Sequence, residues 1–212
     1  ELGVALLLAA ARWIPECDGF VRSGKWADTA YRRMGIGLAG RRCGIVGLGT
    51  IGGAVARRLA AFEMEISYTG RRPKPDVPYT FESDLKKLAR DSDFLMLCCP
   101  NTPETRGLVS AEVIEALGPQ GTLVNIARGP VVDEAAMIRA LEAGSIRAAA
   151  LDVFEDEPNV PEALRKSDRV VLSAHIGTQI EDVREKRLRY CIRNLQDHFA
   201  GRPIMEAARV LP

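Results

Sequence analysis

The sequence has little of several features that mark particular classes of protein. Its 29 lysines and arginines are balanced by 28 aspartates and glutamates, which leaves a net charge of +1. Surfaces that bind nucleic acid or anionic membranes carry an excess of positive charge, so the composition predicts neither partner. The apolar run that starts at Val4 ends at Arg12, well short of the ~20 residues that span a bilayer. No basic segment precedes this run, so it is unlike a signal peptide.

Cysteine and histidine are also scarce, which limits metal and disulfide chemistry. The five cysteines are an odd number, scattered over apolar segments, and their spacing fits no zinc-binding pattern. Cys98 and Cys99 are neighbours in a predicted strand, so their side chains should point to opposite faces. The sequence therefore predicts no metal site, and it predicts reduced, buried thiols in a cytoplasmic protein.

Glycine is concentrated in one short segment that is typical of dinucleotide-binding sites. An apolar pair, Ile45 and Val46, leads into the sequence GLGTIG at 47–52, and apolar residues then recur with helical spacing. In such a strand-turn-helix unit, the first glycine (Gly47) permits the turn and the second (Gly49) lets a pyrophosphate approach the backbone. The third (Gly52) lets the helix pack closely on the strand, and the helix N-terminus attracts the anion. A purely structural turn, or a site for another cofactor such as a methyl donor, stays open.

The loop after the second predicted strand indicates which dinucleotide is bound. NAD sites place Asp or Glu there, about 20 residues beyond the glycines, to bind the ribose 2′-hydroxyl. Here the strand 65–69 is followed by Gly70, Arg71 and Arg72, with Lys74 close behind and no acid. Guanidinium groups bind a 2′-phosphate through charge-assisted hydrogen bonds, whereas a carboxylate would repel it. The loop favours NADP(H) over NAD(H), with a solvated basic loop as the alternative.

Strands and helices alternate along the rest of the chain. Apolar runs typical of buried parallel strands lie at 93–99, 121–127, 147–153 and 169–173. Helices are predicted at 81–90, at 110–118 with Ser110 as N-cap, at 133–144 with Asp133 as N-cap, and at 181–199. The last helix has an apolar stripe that should face inward, formed by Val183, Leu188, Ile192, Leu195 and Phe199. This alternation predicts an α/β fold, a doubly wound parallel sheet of the Rossmann type with flanking helices.

Three predicted strand ends carry residues that can do chemistry together. Arg128 follows one strand, Asp152 and Glu157 follow the next, and His175 follows the last. Ligands bind at the carboxyl ends of the strands in such sheets, so these side chains should converge on one crevice. Taken singly, each has an ordinary explanation: a surface charge, an acidic loop, or a histidine with a structural hydrogen bond.

Five motifs together resemble the D-isomer-specific 2-hydroxyacid dehydrogenases, in particular the branch of glyoxylate/hydroxypyruvate reductases and hydroxyphenylpyruvate reductases. They are GLGTIG at 47–52, YTGRRPKP at 68–75, NIARGPVVDE at 125–134, ALDVFEDEP at 150–158 and SAHIGT at 173–178, in family order and with family spacing. The resemblance implies NADPH-dependent reduction of a small 2-keto acid to the D-2-hydroxy acid, with NAD(H) as the alternative cofactor. It also implies a homodimer and a reaction that requires no metal.

The resemblance also implies roles for particular residues. Arg128 would clamp the substrate carboxylate, His175 would donate a proton to the developing alkoxide, and Glu157 would pair with the imidazole. Asp152 would bind the nicotinamide carboxamide. The implied cofactor contacts are Gly47, Gly49, Thr50, Ile51, Gly52, Gly70, Arg71, Arg72, Cys99, Ile126, Asp152 and Gly177.

The resemblance divides the chain into three segments. Residues 1–36 would form a linker and dimerisation region, 37–178 the dinucleotide-binding domain, and 179–212 a C-terminal return helix and tail. The first helix is apolar on several faces, which predicts burial against a partner, and Pro15 should interrupt it. The family's substrate domain, built mainly from residues that would precede Glu1, is expected to be absent, and the chain alone to be inactive. A non-catalytic dinucleotide sensor, as in corepressors similar to this family, remains the alternative.

Overall fold

Seven parallel strands form the centre of the structure, a computed structural model that describes residues 1–204 apart from the side chain of Asp182. The strands are β1 (Arg42–Val46), β2 (Glu65–Thr69), β3 (Thr80–Phe81), β4 (Phe94–Leu97), β5 (Thr122–Asn125), β6 (Ala148–Leu151) and β7 (Val170–Leu172). Their order in the sheet is β3-β2-β1-β4-β5-β6-β7, and every neighbouring pair is parallel. The order reverses between β1 and β4, the position at which doubly wound sheets bind their ligands. The predicted fold class is confirmed.

Helices connect the strands, and two of them, α5 and α6, begin directly after the predicted capping residues. The helices are α1 (Leu2–Arg12), α2 (Ile14–Arg22), α3 (Thr50–Ala60), α4 (Leu85–Arg90), α5 (Ala111–Leu117), α6 (Glu134–Ala143), α7 (Glu162–Lys166) and α8 (Glu181–Phe199). The Asp133 carboxylate caps α6 by accepting the Ala136 N–H at 2.8 Å, and Gly144 ends that helix with φ of 71°. Ser110 lies at the N-cap of α5 as predicted, but its hydroxyl makes no capping hydrogen bond.

The core lies on both faces of the sheet, because alternate strand residues point to opposite sides. In β4, Leu95 and Leu97 pack with the helices α4–α6, whereas Phe94 and Met96 pack with α1 and α3. All four side chains are fully buried. Continuous apolar runs in the central strands therefore reflect burial from two sides.

Two short elements were not predicted. The strand β3 has two residues and pairs with β2 through Ser67–Thr80 and Tyr68–Phe81. The helix α7 has five residues, and α4 begins at Leu85 rather than at residue 81, after Asp84 caps it. Elements of two to six residues are too short to show a periodicity of their own.

The first helix is buried by its own sheet, which corrects the prediction that it needs a partner. Leu6, Leu7 and Ala10 of α1 are buried in the cluster on one sheet face, where α1 contacts β5 and β6. The helix breaks at Trp13, whose φ of 55° is left-handed, and Pro15 then lies in the first turn of α2. Proline fits a first turn, since its missing N–H would have no partner there. The predicted interruption therefore lies two residues before the proline.

The chain divides into two compact units, Glu1–Ala174 and His175–Pro212. The first contains all seven strands, and the second contains α8. The stripe of α8 that was predicted to face inward is exposed at Leu188, Ile192, Leu195 and Phe199, so that prediction is wrong. An apolar stripe indicates that a helix favours an apolar neighbour, but not which chain supplies it. The division into 1–36, 37–178 and 179–212 stays a prediction. No helix within residues 1–204 combines the length and apolarity needed to cross a membrane.

Candidate functional site

The three fingerprint glycines have different surroundings. Gly47 has φ of +93°, and a Cβ there would lie 2.9 Å from the backbone N and Cα of Cys99. A Cβ on Gly52 would lie 2.1 Å from the carbonyl oxygen of Gly47, so α3 packs directly on the turn. At Gly49, in contrast, no described atom comes within 4 Å of a Cβ. The first and third glycines thus allow close packing, and the second faces open space from which a phosphate can approach.

The N-terminus of α3 is well suited to an anion. Gly49 is its N-cap residue, and no side chain of the described residues caps the helix. Thr50 and Ile51, the first two helical residues, are exposed, Ile51 by 59% despite its apolar side chain. The first N–H groups of a helix and its positive dipole end favour a phosphate group. These residues fit the pyrophosphate of a dinucleotide.

The loop after β2 presents two cations. Gly70, Arg71 and Arg72 are exposed, and within the described part of the chain no carboxylate forms an ion pair with either arginine. The loop is joined to the glycine turn because Thr69 accepts the Gly47 N–H at 3.0 Å. The arginines are therefore available to an anionic group beside the fingerprint.

The end of β4 forms the floor of the glycine turn. The Cys98 N–H donates to Val46 at 2.9 Å, and the backbone of Cys99 lies against Gly47. Burial raises the pKa of the Cys98 thiol to about 12, with a further contribution from Cys99, and it also raises the pKa of Cys99. Both thiols stay protonated at neutral pH, so neither acts as a nucleophile there.

A buried asparagine shapes the loop that carries Arg128. The Asn125 side chain, only 1% exposed, accepts the Ala127 N–H at 2.9 Å and donates to the Arg128 carbonyl at 3.1 Å. The Arg128 side chain is exposed, donates to the Ala127 carbonyl at 2.6 Å and makes no ion pair with a described residue. The Ile126 side chain lies 2.8 Å from where a Cβ on Gly3 would be. A ligand contact at Ile126 would therefore come from its backbone.

The loop after β6 lies directly against the Arg128 loop. A Cβ on Gly129 would lie 1.9 Å from the carbonyl carbon and oxygen of Phe154, so the two backbones touch. Glu157 is exposed, and its carboxylate accepts the Phe154 N–H at 3.0 Å. The loops that carry Arg128 and Glu157 are thus in backbone contact, and the convergence of the four side chains on one crevice stays a prediction.

Asp152 is held at the base of the same loop. It is 3% exposed, and its carboxylate accepts the Ser173 hydroxyl at 2.6 Å. Its N–H donates to the Asn125 carbonyl at 3.0 Å. Asn125 therefore connects the end of β5 to the end of β6, a role that sequence reasoning missed. An asparagine at a strand end was its only signal.

Two further residues form hydrogen bonds with the acidic loop after β6. Glu134, in the first turn of α6, accepts the Glu155 N–H at 3.1 Å, and Arg106 donates to the Glu155 carboxylate at 2.9 Å. A cleft of about 460 Å³ lies beside them and includes Ser110 and Pro130 in its lining. Sequence reasoning did not assign a role to either contact.

His175 and Gly177 lie in the second unit, and both are exposed. His175 has φ of 52°, a left-handed conformation that few residues other than glycine adopt. The other histidine, His198, is exposed on α8. The pairing of His175 with Glu157 stays a prediction.

Comparisons with known proteins identify the family. The D-isomer specific 2-hydroxyacid dehydrogenase family, NAD binding domain, matches residues 4–177. The chain is 44% identical over 205 residues to hydroxyphenylpyruvate reductase of Plectranthus scutellarioides, and 43% identical over 205 residues to glyoxylate/hydroxypyruvate reductase A HPR2 of Arabidopsis thaliana. Each match covers 97% of this chain and 65% of the relative. The chain thus spans about two thirds of the length of these curated relatives.

Solved structures agree with this assignment. A 2-hydroxyacid dehydrogenase from Ketogulonicigenium vulgare Y25 superposes with a TM-score of 0.91 at 44% identity, over 96% of this chain and 64% of that one. An NADPH-dependent glyoxylate/hydroxypyruvate reductase from Sinorhizobium meliloti, in complex with NADP and malonate, superposes with a TM-score of 0.90 at 40% identity. That match covers 93% of this chain and 62% of the other. The chain therefore belongs to the D-isomer-specific 2-hydroxyacid dehydrogenase family, and residues 4–177 form its nicotinamide dinucleotide-binding domain.

Proposed function

We propose that the protein reduces a small 2-keto acid, such as glyoxylate, hydroxypyruvate or an aryl-pyruvate, to the D-2-hydroxy acid with NADPH. One observation carries this proposal. The backbone contact between Gly129 and Phe154 brings the loops of Arg128 and Glu157 together at the carboxyl edge of the sheet that holds the glycine turn. The relatives carry the names of keto acid reductases, and these names support the same reaction.

Each proposed catalytic residue has one task. The exposed guanidinium of Arg128, which makes no ion pair with a described residue, would bind the substrate carboxylate and orient the carbonyl carbon. His175 would donate the proton that the developing alkoxide needs. Glu157 would favour the charged form of that imidazole and fix its orientation. Bound NADPH supplies the hydride.

The cofactor would be held by residues that follow six of the strands. The turn at 47–52 would bind the pyrophosphate, Gly70, Arg71 and Arg72 the 2′-phosphate, and the backbones of Cys99, Ile126 and Gly177 the rest of the dinucleotide. Asp152 would bind the nicotinamide carboxamide. A carboxylate as buried as that of Asp152 is well placed to accept an amide N–H.

We also propose that the protein is a cytoplasmic homodimer. Four apolar side chains of the 1–36 segment are exposed, namely Ile14, Val21, Trp26 and Met34. A second copy would cover them, and two-fold dimers are the commonest closed assemblies. The five cysteines, all free thiols in this fold, support a reducing compartment.

Replacement of His175 tests the proposed reaction. In the protein as its gene encodes it, His175→Ala should lower kcat for glyoxylate or hydroxypyruvate by about 100-fold, because general acid catalysis contributes about that much or more. The Kd for NADPH should change less than twofold, since His175 acts on the proton and not on the dinucleotide. NADPH oxidation at 340 nm and fluorescence titration measure the two effects.

The matched control is His198→Ala, which removes the other histidine from an exposed position on α8. It should leave kcat unchanged. Arg128→Ala should raise KM and lower kcat together, because the carboxylate clamp also orients the reacting carbon. Full activity of His175→Ala across the pH range would assign the proton donor elsewhere, and NADPH binding without any keto acid reduction would favour the non-catalytic sensor.

A further inference from the structure

A fully buried tyrosine lies in β2, two residues before Gly70, where the arginine loop begins. Tyr68 is 1% exposed and belongs to the cluster on the α1 and α3 face of the sheet. It lies in β2, opposite Ile45 of β1 and Phe81 of β3. Its ring meets the Phe81 ring edge-on, with centroids 5.4 Å apart. These contacts leave the ring little freedom to move, so its hydroxyl is a fixed point beneath the loop.

That hydroxyl holds the far end of the loop. The Tyr68 Oη accepts the Lys74 N–H at 2.6 Å, while the near end is held at Thr69, whose carbonyl accepts the Gly47 N–H at 3.0 Å. The span between these two hydrogen bonds, 70–73, contains both arginines. Its side chains are exposed and its cations have no carboxylate partner among the described residues. The position of the guanidinium groups therefore depends on how the backbone is held at its two ends.

We infer that Tyr68 is a specificity-determining residue that positions Arg71 and Arg72 for the 2′-phosphate of NADP(H). The inference rests on the proposed preference for NADPH and assigns a cause to it. A loop that is held in its binding conformation loses less conformational entropy when the ligand binds. A phenylalanine would keep the ring contacts but leave the Lys74 N–H without its acceptor, so the loop could leave that conformation. Tyr68 acts through the arginines and touches no cofactor atom itself.

Titration of NADPH and NADH with Tyr68→Phe tests the inference on the full chain. The Kd for NADPH should rise about three- to tenfold, the range that corresponds to the loss of one hydrogen bond. The Kd for NADH should change less than twofold, because NADH has no 2′-phosphate for the arginines to bind. Equal weakening of both cofactors, or no change in either, overturns the inference.

Two controls separate positioning from general destabilisation. Tyr79→Phe removes a hydroxyl from the same segment, on a half-buried ring for which no hydrogen bond is present in the described structure, and it should leave both affinities unchanged. Amide exchange at Lys74 should accelerate in Tyr68→Phe, while the amides of β1 and β4 keep their protection. Unchanged exchange at Lys74 would overturn the proposed anchor even if affinity fell.

A double-mutant cycle identifies the route by which Tyr68 acts. In the background Arg71→Ala/Arg72→Ala, the further change Tyr68→Phe should not alter the Kd for NADPH, since the groups that it positions are gone. A full effect of Tyr68→Phe in that background refutes a role through the arginines. A wild-type chain without any preference for NADPH refutes the proposed cofactor choice and this inference together. A preference that the arginines carry but Tyr68→Phe leaves intact refutes the inference alone.

Discussion

Two glycines of the 47–52 turn offer a matched pair of substitutions at the scale of single residues. In Gly52→Ala the new methyl carbon would lie 2.1 Å from the carbonyl oxygen of Gly47, so α3 must move. Overpacking of this kind costs about 1–3 kcal/mol of unfolding free energy. Gly49→Ala meets no described atom within 4 Å, and its φ of −77° suits alanine, so stability should change by less than about 0.5 kcal/mol.

The order of the two effects should reverse for cofactor affinity, where Gly49→Ala should have the larger effect. The methyl group of Gly49→Ala would occupy the space from which a pyrophosphate approaches, so dinucleotide affinity should fall about tenfold in a protein of normal stability. Urea unfolding and fluorescence titration of both variants measure the two quantities. Normal affinity of Gly49→Ala would show that the phosphates bind elsewhere.

At the scale of elements, the loop between β2 and β3 carries the prediction on cofactor choice. Arg71→Ala/Arg72→Ala should weaken NADPH binding about tenfold and leave NADH binding within about twofold, because only NADPH has a 2′-phosphate for the guanidinium groups. The wild-type preference should shrink as salt is raised from 0.05 to about 0.5 M, since the screening length between exposed charges falls from ~14 Å to ~4 Å over this range. Fluorescence titration of both cofactors at each salt concentration measures this.

An arginine outside the loop provides the control for total charge. Arg139→Ala removes a cation from the exposed side of α6 and should leave the ratio of the two affinities unchanged. If the double variant keeps the wild-type ratio, the 2′-phosphate is bound by other residues. If Arg139→Ala lowers the ratio equally, the preference reflects net charge and not the loop.

At the scale of the whole molecule, the prediction concerns association. The apolar face of α1 is already buried within the chain, so it gives no reason for a dimer. The exposed apolar side chains between Ile14 and Met34 are the remaining candidates for a dimer interface. Light scattering should give twice the chain mass at micromolar concentration. The variant Trp26→Glu/Met34→Glu should give the monomer mass, since two buried charges without partners oppose association.

Phe62→Glu is the matched control for the dimer test. Phe62 is 42% exposed in the turn that follows α3, outside the surface formed by residues 14–34. Its replacement should keep the wild-type mass. A monomeric wild-type chain would refute the proposed dimer, and a dimer that persists in Trp26→Glu/Met34→Glu would assign the interface to another surface.

Much of the fold and part of the site could be predicted from the sequence, because the relevant signals are local. Apolar runs and their alternation with helical periodicity predicted the parallel sheet, and the glycine turn, the Asp133 cap and the arginine loop each lie within a few neighbouring residues. Such features depend on backbone conformation and capping over one turn or one strand. These features therefore depend little on contacts with distant parts of the chain.

The tertiary structure alone decided the features that join distant residues. The burial of α1 depends on the sheet face beneath it, and the contact of Gly129 with Phe154 depends on two loops from neighbouring strands. The hydrogen bond from Lys74 to Tyr68 depends on a ring that β1 and β3 enclose from both sides. A sequence shows which groups are available for burial and hydrogen bonding. Which of them pair is decided only in the folded chain, because contacts and hydrogen bonds form only between groups within a few ångströms of one another.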